Sequence, residues 1–190
     1  MTAILEILLL NVAEAVETER LTLRATRAGM GPAIFEAVRE SKRELDRWMP
    51  WARETKSATD TERHCREMQL KWHAREELDF CFHRRADGLL VGKGGLHTID
   101  WGVPRFEIGY WIRSSCARQG FATEATLGLV ELARSLKAAR VEISSDARNA
   151  ASRRVAEKSG FELEGIRRKS RRDTKGELSD SCMYARVIGA

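Results

Sequence analysis

The sequence predicts one α/β domain of the α+β type, a mixed β-sheet carrying helices on its faces. Three observations lead there. Short segments with a period of two alternate with longer segments of helical period, in the order strand, two helices, three strands, helix, strand, helix, two strands. The chain has 190 residues, enough for one domain with a real core. No repeat, low-complexity segment or linker interrupts it.

The elements follow in order. "RLTLRA" (20–25) alternates polar and apolar residues, as a half-buried strand does. Residues 31–48 place Ile34, Ala37, Val38 and Leu45 at helical spacing, and "WMPWARE" breaks that pattern at Pro50. A second helix is predicted over 59–76, with Thr59 as its cap and Glu62 completing a capping box. "FCFHRR" and "LLVGKGGLHTI" flank "ADG", so 80–99 reads as a hairpin. After the turn "WGVP" comes the strand "FEIGYWI" (106–112), then a tight turn and a helix to about Ala138. "RVEISSDA" is the next strand, and "NAASRRVAEKSG" is a short helix stopped by Gly160. "FELEGIRRKSRR" and "LSDSCMYARVIG", joined by "DTKG", are the last two strands.

Composition narrows the function. Hydrophobic residues make up 43% and charged residues 32%, which excludes a disordered chain. The net charge of +5 suits an acidic ligand or partner but is too weak to indicate nucleic acid. No strand combines basic and aromatic residues in the manner of a nucleic-acid-binding sheet. Cys65, Cys81, Cys116 and Cys182 form no C-x-x-C pair, so a reducing cytoplasm is expected rather than a disulfide framework. His64, His73, His83 and His97 lack H-E-x-x-H spacing, and no metal site is expected. Residues 1–18 form an apolar N-terminal arm broken by Glu6 and Glu14, too short to span a bilayer. A docked strand or helix, or an arm in a dimer, accounts for it.

The segment "CARQGFATEA" (116–125) joins the "FEIGYWI" strand to the helix that follows. Gly120 can supply an unusual φ, and Ala122 leaves room beside the backbone. A helix start aims free N–H groups and partial positive charge outward, and Arg118 and Gln119 add donors beside them. Such a turn can cradle a phosphate. It lacks the Walker A pattern, and Gly120 is its only glycine, so it is not a dinucleotide fingerprint. From these residues alone, an anion-binding turn and a purely structural turn remain two readings. Gly109, inside the preceding strand, marks either close backbone approach or simple packing.

"FEIGYWIRSSCARQGFATEATLGLVELA" resembles the acyl-CoA motif of the GNAT superfamily of N-acetyltransferases, Arg/Gln-x-x-Gly-x-Gly/Ala, aligned on 117–122. "ARNAASRRVAEKSGFELEGIRR" resembles their second block. "ETERLTLRA", "RWMPWA" and "MYARVIG" resemble the RimJ/RimL-type branch, which acetylates ribosomal proteins; the same branch holds enzymes acting on antibiotics and other small amines. The resemblance covers residues 19–190 as one domain. It implies a twisted mixed sheet splayed between its fourth and fifth strands, with acetyl-CoA in the cleft. By matching position, the backbones of Ile112 and Arg113 pair with the pantetheine arm like an added strand. The N–H groups of Arg118, Gln119, Gly120, Phe121, Ala122 and Thr123 hold the pyrophosphate. Asn149 bonds the pantetheine, and Ser152 lies near the sulfur. The branch also implies a homodimer.

The chain departs from the family pattern at three positions. Ala117 replaces the first Arg or Gln, Ala156 stands where many relatives carry an acidic tyrosine, and Arg171 stands where RimL-type relatives carry a carboxylate. The chemistry tolerates such losses. An α-amine with a pKa near about 8 is partly neutral at pH 7, whereas a lysine amine is neutral in about one part in two thousand. The leaving thiol, with a pKa near about 8.5, departs without a strong acid. Positioning and backbone donors can carry most of the rate. Glu107, on the strand beside the cleft, is the candidate base, and Ser152 the candidate acid. Trp48 and Trp51, flanking Met49–Pro50, are candidates for the acceptor mouth. Cys116 has no histidine near it in sequence and reads as packing. The basic run 167–177 reads as a solvated hairpin, or as a track steering an acidic acceptor or the 3′-phosphate of CoA.

The function expected is acetyl transfer to a protein N-terminal amine. The alternatives are acetyl transfer to a small amine (antibiotic, polyamine or amino acid), and a CoA-binding sensor with weakened catalysis.

Overall fold

A computed structural model describes residues 6–189. An eight-stranded sheet runs in the order β1-β2-β3-β4-β5-β6-β8-β7. Its strands are β1 (Ala15–Glu17), β2 (Leu21–Ala25), β3 (Leu78–Arg84), β4 (Leu90–Asp100), β5 (Arg105–Ile112), β6 (Arg140–Asp146), β7 (Glu162–Arg172) and β8 (Leu178–Val187). Every pairing is antiparallel except β5 with β6. Between β2 and β3 lie α1 (Gly31–Glu40), α2 (Lys42–Trp48), α3 (Pro50–Glu54) and α4 (Ala58–Ala74). Helix α5 (Phe121–Ser135) joins β5 to β6, and α6 (Ala150–Lys158) joins β6 to β7.

The period of two decides which helices cover which face. Phe106 and Ile108 of β5 pack into the larger core with Phe121, Ala125, Leu129 and Ala133 of α5 and Ala156 of α6. Trp111, on the opposite face, packs with Ile34, Ala37 and Val38 of α1 and Cys65 of α4. Helices α1 to α4 therefore build one side of the molecule and α5 and α6 the other.

Three local details differ from the sequence reading. The expected helix over 31–48 is two helices, because the chain turns at Ser41. The Ser41 hydroxyl instead accepts the Ser114 N–H at 2.9 Å, tying this turn to the end of β5. The cap of α4 is Ser57 rather than Thr59. Its Oγ accepts the Asp60 N–H at 3.2 Å while the Asp60 carboxylate accepts the Lys56 N–H at 3.1 Å. Glu62 reaches across to the N–H groups of Gly29 and Gly31, and so fastens α4 to the start of α1.

The N-terminal arm is sewn into the domain. Val12 is buried in the main core, and Ala15–Glu17 pairs with β2 as an edge strand. The expected arm residues before position 6 lie outside the described residues. Among the described residues, no helix is long and apolar enough to cross a membrane. The basic run lies on the exposed edge strand β7, and the β7–β8 hairpin tip is anchored to α3 by Arg53, whose guanidinium donates to the Thr174 carbonyl.

Candidate active site

The parallel pairing of β5 with β6 ends after Glu107↔Glu142. Beyond that point the two strands separate, which opens a cleft across the sheet. With β1 counted, the split lies between the fifth and sixth strands. Arg113 donates its N–H to the Val91 carbonyl of β4 at 2.8 Å. Antiparallel pairs alternate, so the backbone groups of Tyr110 and Ile112 face the other way, into the cleft. The expected pair is thus divided: the Ile112 backbone is open to the cleft, while the Arg113 N–H is engaged by Val91. The Arg113 carbonyl accepts from Cys116, and its guanidinium, in a residue only 9% exposed, is held by Glu36 at 2.8 Å and Glu40 at 2.6 Å. Arg113 fixes the end of β5 to α1.

The turn that follows is held from both sides. Glu40 accepts the Ser115 N–H at 3.0 Å, and bonds from Ser115 and Arg113 keep its carboxyl below the usual range despite its desolvation. On the far side, Glu124 accepts the Arg20 N–H at 2.6 Å and the Arg20 guanidinium at 2.7 Å. Burial opposes its charge, yet bonds from Thr18 and Arg20 keep the Glu124 carboxyl below its ordinary value. Arg20 also donates to the Gln119 carbonyl at 3.0 Å and lies over the Phe121 ring. Arg118 and Gly120 both adopt positive φ, 61° and 86°. Among the described residues, none of the six N–H groups from Arg118 to Thr123 has a hydrogen-bond acceptor. Six free donors at a helix start, with the Arg118 side chain exposed beside them, make a turn that can receive an anion. Cys116 is buried beneath the turn, as packing.

Across the split, Asn149 caps α6 by accepting the Ser152 N–H on Oδ1 at 3.1 Å. That bond leaves the Asn149 amide NH₂ to donate elsewhere. The Ser152 hydroxyl meets the Tyr110 hydroxyl from β5 at 3.2 Å. Burial pushes the Tyr110 phenol up to about 12, so it keeps its proton at working pH. The sequence reading missed Tyr110, because a tyrosine on a strand face reads as core. The missing signal was its register: it lies on the backbone edge that no β6 residue covers.

On the α1–α4 side a cavity of about 600 Å³ reaches the Gly109–Trp111 segment of β5. Gly109 is what lets the His97 ring lie against the strand, since a Cβ there would meet His97 Nε2 at 2.8 Å. Trp51, 39% exposed, lines the mouth and lies 6.2 Å from the Trp111 ring. Trp48 does not line the cavity; Arg47 lies over its ring instead. Glu107 does not line it either. It sits at the last residue pair before the split, opposite His97 on β4, so the expected base is displaced from the cavity. In its place the floor carries His64 and Lys93, which sequence reading did not single out.

The family comparison bears directly on this cleft. Residues 20–162 match the family described as the acetyltransferase (GNAT) domain. The chain belongs to the GNAT acetyltransferases. Among curated proteins it is 30% identical over 151 residues to the "Putative ribosomal N-acetyltransferase YdaF" of Bacillus subtilis, covering 77% of this chain and 80% of that protein. It is 36% identical over 106 residues to the "Probable N-acetyltransferase YjcK" of the same organism, covering 55% of this chain and 59% of that protein. The solved structure of RimL, a ribosomal L7/L12 α-N-protein acetyltransferase in complex with coenzyme A, superposes with a TM-score of 0.86 at 25% identity, covering 92% of this chain and 98% of that one. The microcin C7 self-immunity acetyltransferase MccE, bound to acetyl-CoA and AMP, shares the fold at TM-score 0.85 and 20% identity, covering 90% and 94%.

This GNAT enzyme is an acetyl-CoA-dependent N-acetyltransferase. The residues present fit that donor: a strand edge without a partner, six free N–H groups and two hydroxyls line one cleft.

Proposed function

We propose that the protein acetylates the N-terminal α-amine of a polypeptide by direct attack within a ternary complex. The observation that carries this reading is that the cavity under α1 to α4 reaches β5 where its pairing with β6 has ended. The cleft between β5 and β6 and the cavity under α1 to α4 share the Gly109–Trp111 segment, so donor and acceptor approach one strand from opposite faces. The names of YdaF and RimL support a ribosomal protein as the acceptor.

The geometry supports the following roles. The N–H groups of Arg118 to Thr123 hold the pyrophosphate, with Arg20 bracing the loop from behind. The backbone of Ile112 and the amide of Asn149 hold the pantetheine. Acetyl-CoA supplies an activated acetyl thioester. The hydroxyls of Tyr110 and Ser152 donate toward the sulfur as it takes up charge. A proton passes in net from the amine nitrogen to that sulfur. An α-amine enters partly neutral at pH 7, so it needs no strong base.

A second reading takes a small amine as acceptor, and the cavity volume favours it: about 600 Å³ lies within the ordinary small-molecule range. One experiment separates the two. The protein is incubated with acetyl-CoA and a panel of N-terminal peptides and small amines, and free thiol is followed. CoA release with peptides alone supports the first reading, and release with small amines alone supports the second. CoA binding with no turnover of any amine would sink both.

A further inference from the structure

One group on the cavity floor is left unexplained by the amine alone. Lys93 sits in the glycine-rich middle of β4 and is 4% exposed. Its ammonium donates to the Asp79 carboxylate and lies 3.2 Å from His64 Nε2. Thr26 donates to the same Asp79 oxygen at 2.6 Å. A buried ion pair is seldom more stable than apolar residues of the same size. Fold stability therefore gives no reason for a lysine here, next to the apolar cluster of Ile34, Val38 and Trp111.

An ammonium carries three donors and no acceptor. Two of the Lys93 donors are placed, on Asp79 and on His64. Since an ammonium only donates, His64 Nε2 accepts, and the proton of the neutral imidazole sits on Nδ1. His64 Nδ1–H and the third Lys93 N–H have no acceptor among the described residues, and both side chains line the cavity.

We infer that Lys93 and His64 form a recognition point for the carbonyl oxygen next to the acceptor's α-amine. This rests on the polypeptide reading and deepens it. A free carboxylate does not fit the same place. Asp79 touches Lys93, and the lining carries four carboxylates, Glu54, Asp60, Glu77 and Asp79, against the cations Arg63 and Lys93. The acceptor class is then an aminoacyl amide, which is what a peptide N-terminus is. A free amino acid is repelled, and a simple alkylamine leaves the two donors without an acceptor.

The test uses the intact protein, acetyl-CoA and three acceptors on one skeleton: alaninamide, alanine and isopropylamine. Each kcat/KM is corrected for the neutral fraction of its amine. Alaninamide should exceed both others by about tenfold or more, the usual value of a hydrogen bond to a charged group. In Lys93→Met, and in the charge-balanced Lys93→Met/Asp79→Asn, the preference for alaninamide over isopropylamine should fall by about the same factor. Most of the change should appear in KM. Retained CoA-induced thermal stabilisation certifies each variant as folded. Equal corrected values for alaninamide and isopropylamine in the wild-type protein would overturn the inference and leave N-acetyl transfer standing. Alanine matching alaninamide would overturn it likewise, as would an unchanged preference in either folded variant. No turnover of alaninamide or of any N-terminal peptide, with CoA still bound, would overturn the polypeptide reading and this inference together.

Discussion

The Tyr110 hydroxyl lies 3.2 Å from Ser152 Oγ, joining β5 to α6 across the opened part of the sheet. Position 156, where the family resemblance leads one to expect a tyrosine, is a fully buried alanine. The phenol comes instead from the opposite wall. If it serves the leaving sulfur, Tyr110→Phe lowers kcat by about ten- to a hundredfold and leaves CoA affinity within about threefold. Calorimetry with CoA and steady-state thiol release measure the two. A purely structural tie between β5 and α6 would weaken CoA binding and lower Tm with kcat unchanged.

Gly120 holds φ at 86°, and a Cβ there would lie 3.2 Å from Arg20 Nη2. Gly120→Glu adds a carboxylate to a cradle of N–H donors. The rise in Tm that CoA produces in the wild-type protein should vanish in this variant. The apo protein should lose a few °C, the effect of roughly 1 kcal/mol of backbone strain. Unchanged CoA affinity would show that the phosphates lie elsewhere.

The His64 pKa is held below its ordinary value, first by burial and then by the charge of Lys93, against the weaker pull of Asp79, Glu67 and Glu77. A histidine whose folded pKa is depressed is held neutral by the fold. Its contribution is intact above the unfolded pKa of about 6.5 and is lost as pH falls below it. The wild-type Tm should therefore fall more between pH 7.5 and pH 5.5 than that of His64→Gln. His83 is lowered in the same direction, by burial and Arg24, so the variant removes only part of the slope. An identical slope in both proteins would refute the assignment.

Trp51 borders the cavity and Trp48 does not. Trp51→Ala should raise the acceptor KM by about tenfold, and Trp48→Ala should leave it within about twofold. Glu107, at the closed end of the cleft, gives a matching contrast. Glu107→Gln should keep kcat within about twofold, and a larger loss would restore it as the base. Initial rates at varied peptide concentration settle all three.

The β5-turn-α5 unit was legible in the sequence because its determinants are local. A glycine at positive φ, a small residue after it and an apolar helical stripe stand within a few positions of one another. The α4 cap was not legible, because two Ser/Thr–acid pairs overlap. Ser57–Asp60 and Thr59–Glu62 both fit a capping pattern, and only the extended backbone at Ser57 decides between them. Lys93 and His64 were hidden for a different reason. They are 29 positions apart, on a strand and a helix, and only the folded sheet brings them together. A lysine inside a run of glycines and apolar residues, "LLVGKGGL", was the one available sign. That Glu107 and Trp48 lie outside the cavity lining was not legible either, because the reach of a cavity along a strand and the rotation of a helix are fixed by tertiary packing.

The parting of β5 from β6 after Glu107 has a consequence for the protein before any acceptor arrives. A sheet interrupted in its interior lacks ladder bonds that a continuous sheet would have, and in the proposed binding mode a pantetheine arm would supply replacements from outside the chain. The folded state thus gains stability in proportion to the logarithm of donor concentration over its dissociation constant. In a cell that logarithm is set by metabolism. Scarcity of the acetyl donor would both slow the reaction and shift more of these molecules toward the states that proteases recognise, linking the enzyme's lifetime to the supply of its own substrate.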